Sequence, residues 1–268
     1  MSPDGRELLL NINKLSISFG GLRAVSDFTF ELYKGELAGL IGPNGAGKTT
    51  IFNIISGIYA PTEGEISFWD RRGKIHIIGK KSPAALNHIG IARTFQNIRL
   101  FSKMTVEENV LIALHSQRKM NPLDAIFRTR RFREDEYSMK EKAEELLSLF
   151  KIEEKKHELA QNLPYGEQRK LEIVRALASN PSLLLLDEPA AGMNPQESYD
   201  LMDFIVSIRD KFKICILVIE HHMQVVMGIC ERIYVLDYGI TIAEGNPTEI
   251  QKNQKVIDAY LGVEYAEA

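Results

Sequence analysis

The sequence predicts an α/β fold: a mostly parallel sheet, joined to an N-terminal antiparallel β subdomain and an inserted α-helical subdomain. Two wholly apolar stretches, Leu183–Leu186 and Ile214–Ile219, are typical of strands that are buried on both faces of a parallel sheet. Alternating apolar and polar residues in Leu8–Phe19 indicate strands near the N-terminus. From about Ser82 to Leu163 the periodicity is helical instead, which indicates the insert.

The first part of the chain is predicted to contain four strands and one helix. Glycines and prolines separate these elements, as is usual for turns. In chain order they are the strands Leu8–Phe19, Ala24–Leu32 and Glu36–Ile41, the helix Thr49–Ser56, and the strand Glu65–Trp69.

The insert is predicted to contain two helices, Thr105–Leu114 and Ser138–Phe150. In the second helix, Ala143 and Leu147 belong to an apolar face with helical spacing. Four arginines lie between the helices, within Arg128–Arg133. We interpret this charged stretch as a solvated surface, with a contact to a partner or a membrane as the alternative.

After the insert the α/β pattern returns. The remaining predicted elements are the helices Glu167–Ser179, Gln196–Lys211 and Pro247–Leu261, and a hairpin of Ile233–Asp237 and Thr241–Glu244. We therefore predict one domain over residues 1–268, in four parts: a first core part (1–84), the helical insert (85–163), a second core part (164–246) and a C-terminal helix (247–268).

Composition excludes several classes of protein. The chain has 268 residues, 44% of them hydrophobic, and a net charge of −3, so no basic field indicates a nucleic-acid partner. Its two cysteines, Cys215 and Cys230, are too few for a disulfide framework and are expected to pack in the core of a cytoplasmic protein. Met1–Arg6 is polar, so we expect no secretory signal. No apolar stretch is long enough to span a bilayer, so a role at a membrane requires partner proteins.

A phosphate-binding loop follows the third predicted strand. Gly42–Thr49 matches the pattern G-x-x-x-x-G-K-[ST], in which backbone N–H groups surround phosphate oxygens at a helix N-terminus. Lys48 is expected to hold the β and γ phosphates, and Thr49 is expected to bind Mg²⁺. The residues predicted to contact the nucleotide here are Gly42, Pro43, Asn44, Gly45, Ala46, Gly47, Lys48, Thr49 and Thr50.

Two acidic residues, Asp187 and Glu188, end the apolar strand Leu183–Leu186. Ligands bind at the carboxyl ends of strands in open α/β sheets, so both carboxylates are expected near the phosphates. Asp187 is predicted to bind Mg²⁺, and Glu188 to act as the general base for the attacking water. Together the two motifs predict a P-loop NTPase with a RecA-like core. The chain lacks the N-K-x-D motif that reads guanine, which argues against a GTPase.

Further motifs narrow the family. The segment Leu163–Gln168, which we call the signature segment, resembles the L-S-G-G-Q signature of ABC (ATP-binding cassette) ATPases in its Y-G-E-Q variant form. Gln96 lies where that family has its Q-loop, and His221 lies where it has its switch histidine. Ala190–Asn194 follows the acidic pair as the D-loop does. These motifs cover nearly the whole chain in the family's order.

The resemblance implies how two cassettes share ATP. Tyr165, Gly166 and Glu167 are expected to contact the nucleotide that is bound to a second cassette, whose own signature completes the site of this chain. Gln96 and His221 are expected to sense the γ-phosphate, with His222 as the alternative to His221, and Gln96 is also expected to bind Mg²⁺. The chain departs from the family pattern in three places: Pro164 replaces the signature serine, Asn194 the D-loop aspartate, and His222 the aspartate after the switch histidine.

An aromatic residue is expected to stack on adenine. Phe19 lies 29 residues before Lys48, about where these ATPases place that aromatic. A packing role in its strand is the alternative for Phe19, and Tyr33 is another candidate for stacking.

Within the family, Ile91–Phe101, Leu186–Pro195 and Ile219–Met223 are similar to the ATPases of branched-chain amino-acid importers (the LivG type). This resemblance implies a peripheral protein on the cytoplasmic face of the plasma (inner) membrane, with a second cassette, two permeases and an extracytoplasmic solute-binding protein as partners. The alternatives are a homodimeric cassette of a lipopolysaccharide-export type and a non-transport ABC ATPase. A metabolic kinase would have no signature segment.

Overall fold

The computed structural model describes residues 5–116, 129–221 and 223–261. These residues form two compact units. The sheet unit contains the described residues up to Gln96 and from Ser182 onward, and the helical unit contains those of Asn97–Pro181.

Ten β-strands occur in the described chain. They are β1 (Leu8–Phe19), β2 (Leu22–Tyr33), β3 (Leu37–Ile41), β4 (Glu63–Trp69), β5 (Ile75–Ile77), β6 (Ile91–Arg93), β7 (Leu183–Asp187), β8 (Cys215–Ile219), β9 (Arg232–Asp237) and β10 (Ile240–Gly245).

The α-helices of the described chain alternate with these strands or lie in the helical unit. They are α1 (Lys48–Ile55), α2 (Pro83–Ile89), α3 (Val106–Ser116), α4 (Arg130–Leu149), α5 (Tyr165–Ala178), α6 (Pro195–Phe212), α7 (Met223–Ile229), α8 (Pro247–Lys252) and α9 (Gln254–Leu261). None of them is both long and apolar enough to cross a membrane.

The sheet unit contains two sheets. The larger has the order β10-β9-β3-β8-β7-β6, and all its neighbours are parallel except the hairpin of β9 and β10. The smaller has the order β2-β1-β4-β5 and is antiparallel throughout. This architecture confirms the predicted fold class.

The apolar sequences of β3, β7 and β8 suit their interior positions in the larger sheet. Every residue of these three strands is buried, and nearly all of them are apolar. Since the strands run in parallel, their carboxyl ends meet at one edge of the sheet, where ligands bind in such folds. The phosphate loop follows β3, Asp187 ends β7 with Glu188 next to it, and His221 lies two residues after the end of β8.

The helical unit packs α3, α4 and α5 against one another. Helix α4 begins at Arg130 and not at Ser138 as predicted, because Thr129 caps it by accepting a hydrogen bond from the N–H of Phe132. The charged residues of its first turns are good helix formers, and Arg130 pairs with Glu134 one turn later. Arg128, at the start of the predicted charged stretch, lies outside the described residues.

Two boundaries differ from those that the sequence predicts. The predicted insert, 85–163, and the helical unit, Asn97–Pro181, differ at both ends. At the first end, β6 pairs with β7 and so belongs to the larger sheet. At the second end, α5 packs with α3 and so belongs to the helical unit. The single helix predicted over Pro247–Leu261 is wrong. Asn253 has an extended backbone (ψ 116°), and its side chain accepts a hydrogen bond from the N–H of Lys255, so two helices form.

Candidate active site

The phosphate loop joins β3 to α1 by a path that requires glycine at two points. Gly42 has a φ of +149°, and a Cβ atom there would lie 2.0 Å from the carbonyl oxygen of Leu236. Gly47 has a φ of +98°, and a Cβ atom there would lie 3.0 Å from the carbonyl oxygen of Ala24. Only glycine combines this backbone with so close an approach, so the loop is held against β2 and β9.

Lys48 opens α1 and folds back over the loop. Its ammonium group donates hydrogen bonds to the carbonyl oxygens of Gly42 (2.7 Å) and Pro43 (2.8 Å). Burial lowers the pKa of Lys48, and the carboxylates of Glu188 and Asp187 oppose that shift. A buried ammonium group at the N-terminus of a helix is suited to phosphate.

A cavity of about 300 Å³ lies against the phosphate loop. Asn44 through Thr50 form one wall, and Glu188 and Tyr238 contribute to others. The start of β2 completes the lining with Leu22, Arg23 and Ala24. All nine predicted phosphate-contact residues therefore lie in one segment, seven of them on the cavity wall.

Asp187 ends β7 in a nearly buried ion pair. Its Oδ2 accepts a hydrogen bond from Arg93 at 2.7 Å, and the two side chains are 7% and 6% exposed. Arg93 lies at the end of β6, beside β7 in the sheet. The sequence patterns do not predict this contact, which joins residues 94 positions apart.

Two predicted catalytic residues, Gln96 and His221, lie beside a third, Glu188. Its Oε2 accepts a hydrogen bond from Nε2 of Gln96 at 2.9 Å and lies 3.6 Å from Nδ1 of His221. Glu188 itself has a φ of +46°, and its N–H donates to the carbonyl of Ile219 at the end of β8. This unusual backbone turns the carboxylate toward the cavity beside the phosphate loop.

The segment after Glu188 is held by a second buried carboxylate. Glu220, which is fully buried, accepts a hydrogen bond from the N–H of Ala190 at 2.8 Å. Asn194 caps α6, and its side chain and that of Glu197 form reciprocal hydrogen bonds with the backbone. Asparagine is as good as aspartate in that role, which accounts locally for the departure from the family pattern. His222 lies outside the described residues.

The signature segment leads into α5 of the helical unit. Pro164 is the N-cap residue. It provides no side-chain hydrogen bond to the helix, because proline has no hydroxyl group. Tyr165 is exposed, and a Cβ atom on Gly166 would meet nothing within 4 Å. Glu167 forms an ion pair with Lys155 at 2.6 Å. The N-terminus of α5 thus combines an uncapped first turn with an open surface at Gly166.

The two aromatic candidates for adenine stacking have different surroundings. Phe19 is 45% exposed and packs edge to face against Tyr59, with 5.2 Å between ring centroids. Tyr33 is buried beneath the guanidinium group of Arg232, which lies 5.0 Å from its ring centroid. Tyr33 therefore offers no open face. Neither aromatic lines the cavity, but Tyr238, which sequence reasoning missed, does and is 86% exposed.

The donors that are available for a metal fit Mg²⁺. Thr49 supplies an exposed hydroxyl in the cavity, and Asp187 supplies a carboxylate. Mg²⁺ prefers oxygen ligands and is commonly held by one or two protein groups together with water and substrate phosphates. The donor set therefore suits a cation that arrives with a nucleotide.

Besides Tyr238, the residues that sequence reasoning missed are Arg93 and Glu220, which hold Asp187 and the segment after Glu188. Each lies beside a residue that the motifs identify, and each is a charged residue at the end of an apolar strand. That position was the available signal, because a charge at a buried strand end requires a partner.

Comparison with known proteins places these motifs in a family. The family model described as "ABC transporter" matches residues 25–191, and a second, described as "Branched-chain amino acid ATP-binding cassette transporter", matches residues 241–266. The high-affinity branched-chain amino acid transport ATP-binding protein LivG of Escherichia coli is 44% identical over 95% of this chain and 98% of its own length. Its counterpart BraF of Pseudomonas aeruginosa is 41% identical over the same shares.

Solved structures agree with this placement. A crystal structure of the ADP conformation of an ATP-binding cassette from an ABC transporter superposes with a TM-score of 0.81. It is 32% identical in sequence and covers 96% of this chain and 99% of its own. The resemblance that the signature segment indicated is therefore confirmed, and this chain belongs to the ABC transporter family as one of its ATP-binding cassettes.

Proposed function

We propose that this chain is the ATP-hydrolysing subunit of an ABC importer for branched-chain amino acids or related small polar solutes. The observation that carries the hydrolytic role is the convergence of Gln96 and His221 on Glu188, beside the phosphate loop. A general base needs groups that orient it: Gln96 does so through a hydrogen bond of 2.9 Å, and His221 lies 3.6 Å from the same carboxylate oxygen.

ATP binding is assigned to the phosphate loop and its cavity. The N–H groups of the loop surround the phosphates, and the ammonium group of Lys48 exchanges the carbonyls of Gly42 and Pro43 for phosphate oxygens. Phe19 remains the proposed surface for adenine. Thr49, Asp187 and Gln96 would hold Mg²⁺, which would neutralise charge on the β and γ phosphates.

Hydrolysis begins when Glu188 takes a proton from a water molecule that attacks the γ-phosphorus. The bond from that phosphorus to the bridging oxygen breaks, ADP leaves with the electron pair, and the new phosphate carries the oxygen from water. Gln96 orients the carboxylate through the 2.9 Å hydrogen bond, and His221 contacts the γ-phosphate. Lys48 stabilises the charge that develops on the leaving group.

The partners follow from the family. The exposed N-terminus of α5, with Tyr165, Gly166 and Glu167, is proposed to contact ATP that is bound to a second cassette. Two permease subunits and an extracytoplasmic solute-binding protein complete the importer, at the cytoplasmic face of the inner membrane. The importer assignment is supported by the names of the relatives LivG and BraF and by the family model that matches residues 241–266.

The hydrolytic role is tested by Glu188→Gln. The variant is expected to bind ATP normally but to hydrolyse it about 10²–10⁴ times more slowly, because the amide cannot accept the proton. Glu65→Gln, on an exposed position of β4, is the matched control and should keep full turnover. Near-normal turnover in Glu188→Gln would remove Glu188 as the base.

The transport role is tested by uptake. Cells that lack this gene should take up radiolabelled leucine, isoleucine and valine slowly, and the wild-type gene should restore uptake while Glu188→Gln should not. Undiminished uptake of all three in the deletion strain would contradict the proposed substrate class and leave the ATPase assignment intact.

A further inference from the structure

We propose that Arg93 is a positioning residue for Asp187, on which the magnesium-dependent part of ATP binding relies. This inference rests on the proposed function, in which Asp187 approaches Mg²⁺. Arg93 contacts neither the phosphate loop nor Glu188 in the hydrogen bonds of the described chain, so its role is distinct from theirs.

The guanidinium group of Arg93 joins two elements of the site. One nitrogen donates to Oδ2 of Asp187 at 2.7 Å. A second donates to Oδ1 of Asn53 and to Oγ of Ser56, both at 2.8 Å, and these residues lie at the end of the helix that the phosphate loop begins. The ion pair therefore sets Asp187 relative to α1.

Packing fixes the plane of that guanidinium group. Its central carbon lies 5.6 Å from the ring centroid of Phe52 on α1 and 5.0 Å from that of Phe95. The N–H of Thr94 donates to the carbonyl of Leu185 in β7, so the backbone around Arg93 is held to the strand that ends in Asp187. Arginine suits such a position because its planar fork can bond in two directions while its faces stack on aromatic rings.

The ion pair restricts how Asp187 can turn. Because Oδ2 is engaged by Arg93 and both side chains are nearly buried, rotation of the carboxylate would leave a buried charge without its partner. Groups that orient a metal ligand in this way typically alter metal affinity 10- to 100-fold when they are removed. Phe95 precedes Gln96 directly, so the same contacts also adjoin the residue that orients Glu188.

The test compares the affinity for trinitrophenyl-ATP with Mg²⁺ and with EDTA, in the full chain. In Arg93→Met the gain in affinity that Mg²⁺ provides should fall about tenfold, while the affinity in EDTA stays within about twofold of wild type. Asn53→Ala removes a contact to α1 but leaves the ion pair, and it should retain most of the gain. In an Asp187→Asn background, Arg93→Met should cause no further loss.

Arg93→Lys keeps the test decisive if Arg93→Met does not fold. Lysine preserves the buried positive charge but cannot hold Asp187, Asn53 and Ser56 in one plane, so the gain should fall at least about threefold. A wild-type gain in both variants, or an equal loss with and without Mg²⁺, would overturn the positioning role. No gain from Mg²⁺ in the wild-type protein would instead overturn the proposed Mg²⁺–ATP site.

Discussion

The sheet unit and the helical unit prepare their functional residues in different ways. In the sheet unit polar and charged side chains contact one another: Arg93 bonds Asp187, and Gln96 and His221 both lie against Glu188. In the helical unit the signature segment begins an uncapped helix with an open surface at Gly166. One unit therefore holds its functional side chains in contact with one another, whereas the other leaves the start of a helix open to solvent.

The helical unit should be the easier of the two to destabilise without loss of ATP binding. Arg169 and Glu172 form an ion pair at 2.8 Å whose side chains are 0% and 2% exposed. Glu172→Ala leaves a buried charge and should lower the free energy of unfolding by about 3–5 kcal/mol. Urea unfolding measures the loss, and hydrogen exchange should place it in α5 and not in β7. An ATP affinity that falls in parallel would contradict the independence of the two units.

The sheet unit should lose ATP binding when its phosphate loop loses charge. Lys48→Ala removes a buried ammonium group that donates two hydrogen bonds, and ATP affinity should fall about 100-fold. Equilibrium dialysis with labelled ATP measures the change. Lys74→Ala, at an exposed position of the same unit, is the control and should bind ATP as wild type does.

His221 should separate catalysis from binding within the sheet unit. His221→Ala should slow hydrolysis about 100-fold, as the loss of a donor to transition-state charge does, and leave ATP affinity within about twofold. Single-turnover phosphate release measures the rate, and nucleotide titration measures the affinity. If the variant loses ATP affinity to an extent that explains its slower hydrolysis, His221 contributes to ATP binding and not to catalysis.

Pro164 offers the smallest change and acts at the signature segment. Serine at that position can accept a hydrogen bond from an N–H group in the first turn of α5, and should add about 1 kcal/mol to its stability. Pro164→Ser should also change turnover at the ATP site that this segment completes, whereas Pro164→Ala should not. If the two variants have the same melting temperature and the same ATPase rate, a hydroxyl group at position 164 has no effect and the prediction is wrong.

Local patterns predicted the sheet unit well. Buried strands such as Leu183–Asp187 are continuous apolar stretches, and the phosphate loop is a contiguous motif, so both are visible within a few residues. Since parallel strands end at one edge, the meeting of Gln96, Glu188 and His221 follows from the order of motifs that the family resemblance supplied.

The rest depended on contacts that no local pattern contains. Arg93 and Asp187 are 94 residues apart, and their ion pair arises only because β6 and β7 are neighbours in the sheet. Strands β5 and β6 have three residues each, which is too short to show a period. The start of α4 was predicted too late in the chain, because the charged residues of its first turns show no apolar period and only the structure shows that Thr129 caps them.

The partners proposed for this chain can be identified by purifying the tagged chain from gently solubilised membranes and analysing what comes with it by mass spectrometry. Under the proposed function the signature segment contacts the ATP of another chain and the cassette works with permeases, so a second, different cassette and two membrane-spanning permeases should be recovered. Recovery of this cassette with one type of permease would indicate a homodimeric transporter. Ribosomal or DNA-bound partners without any membrane protein would contradict the transport role.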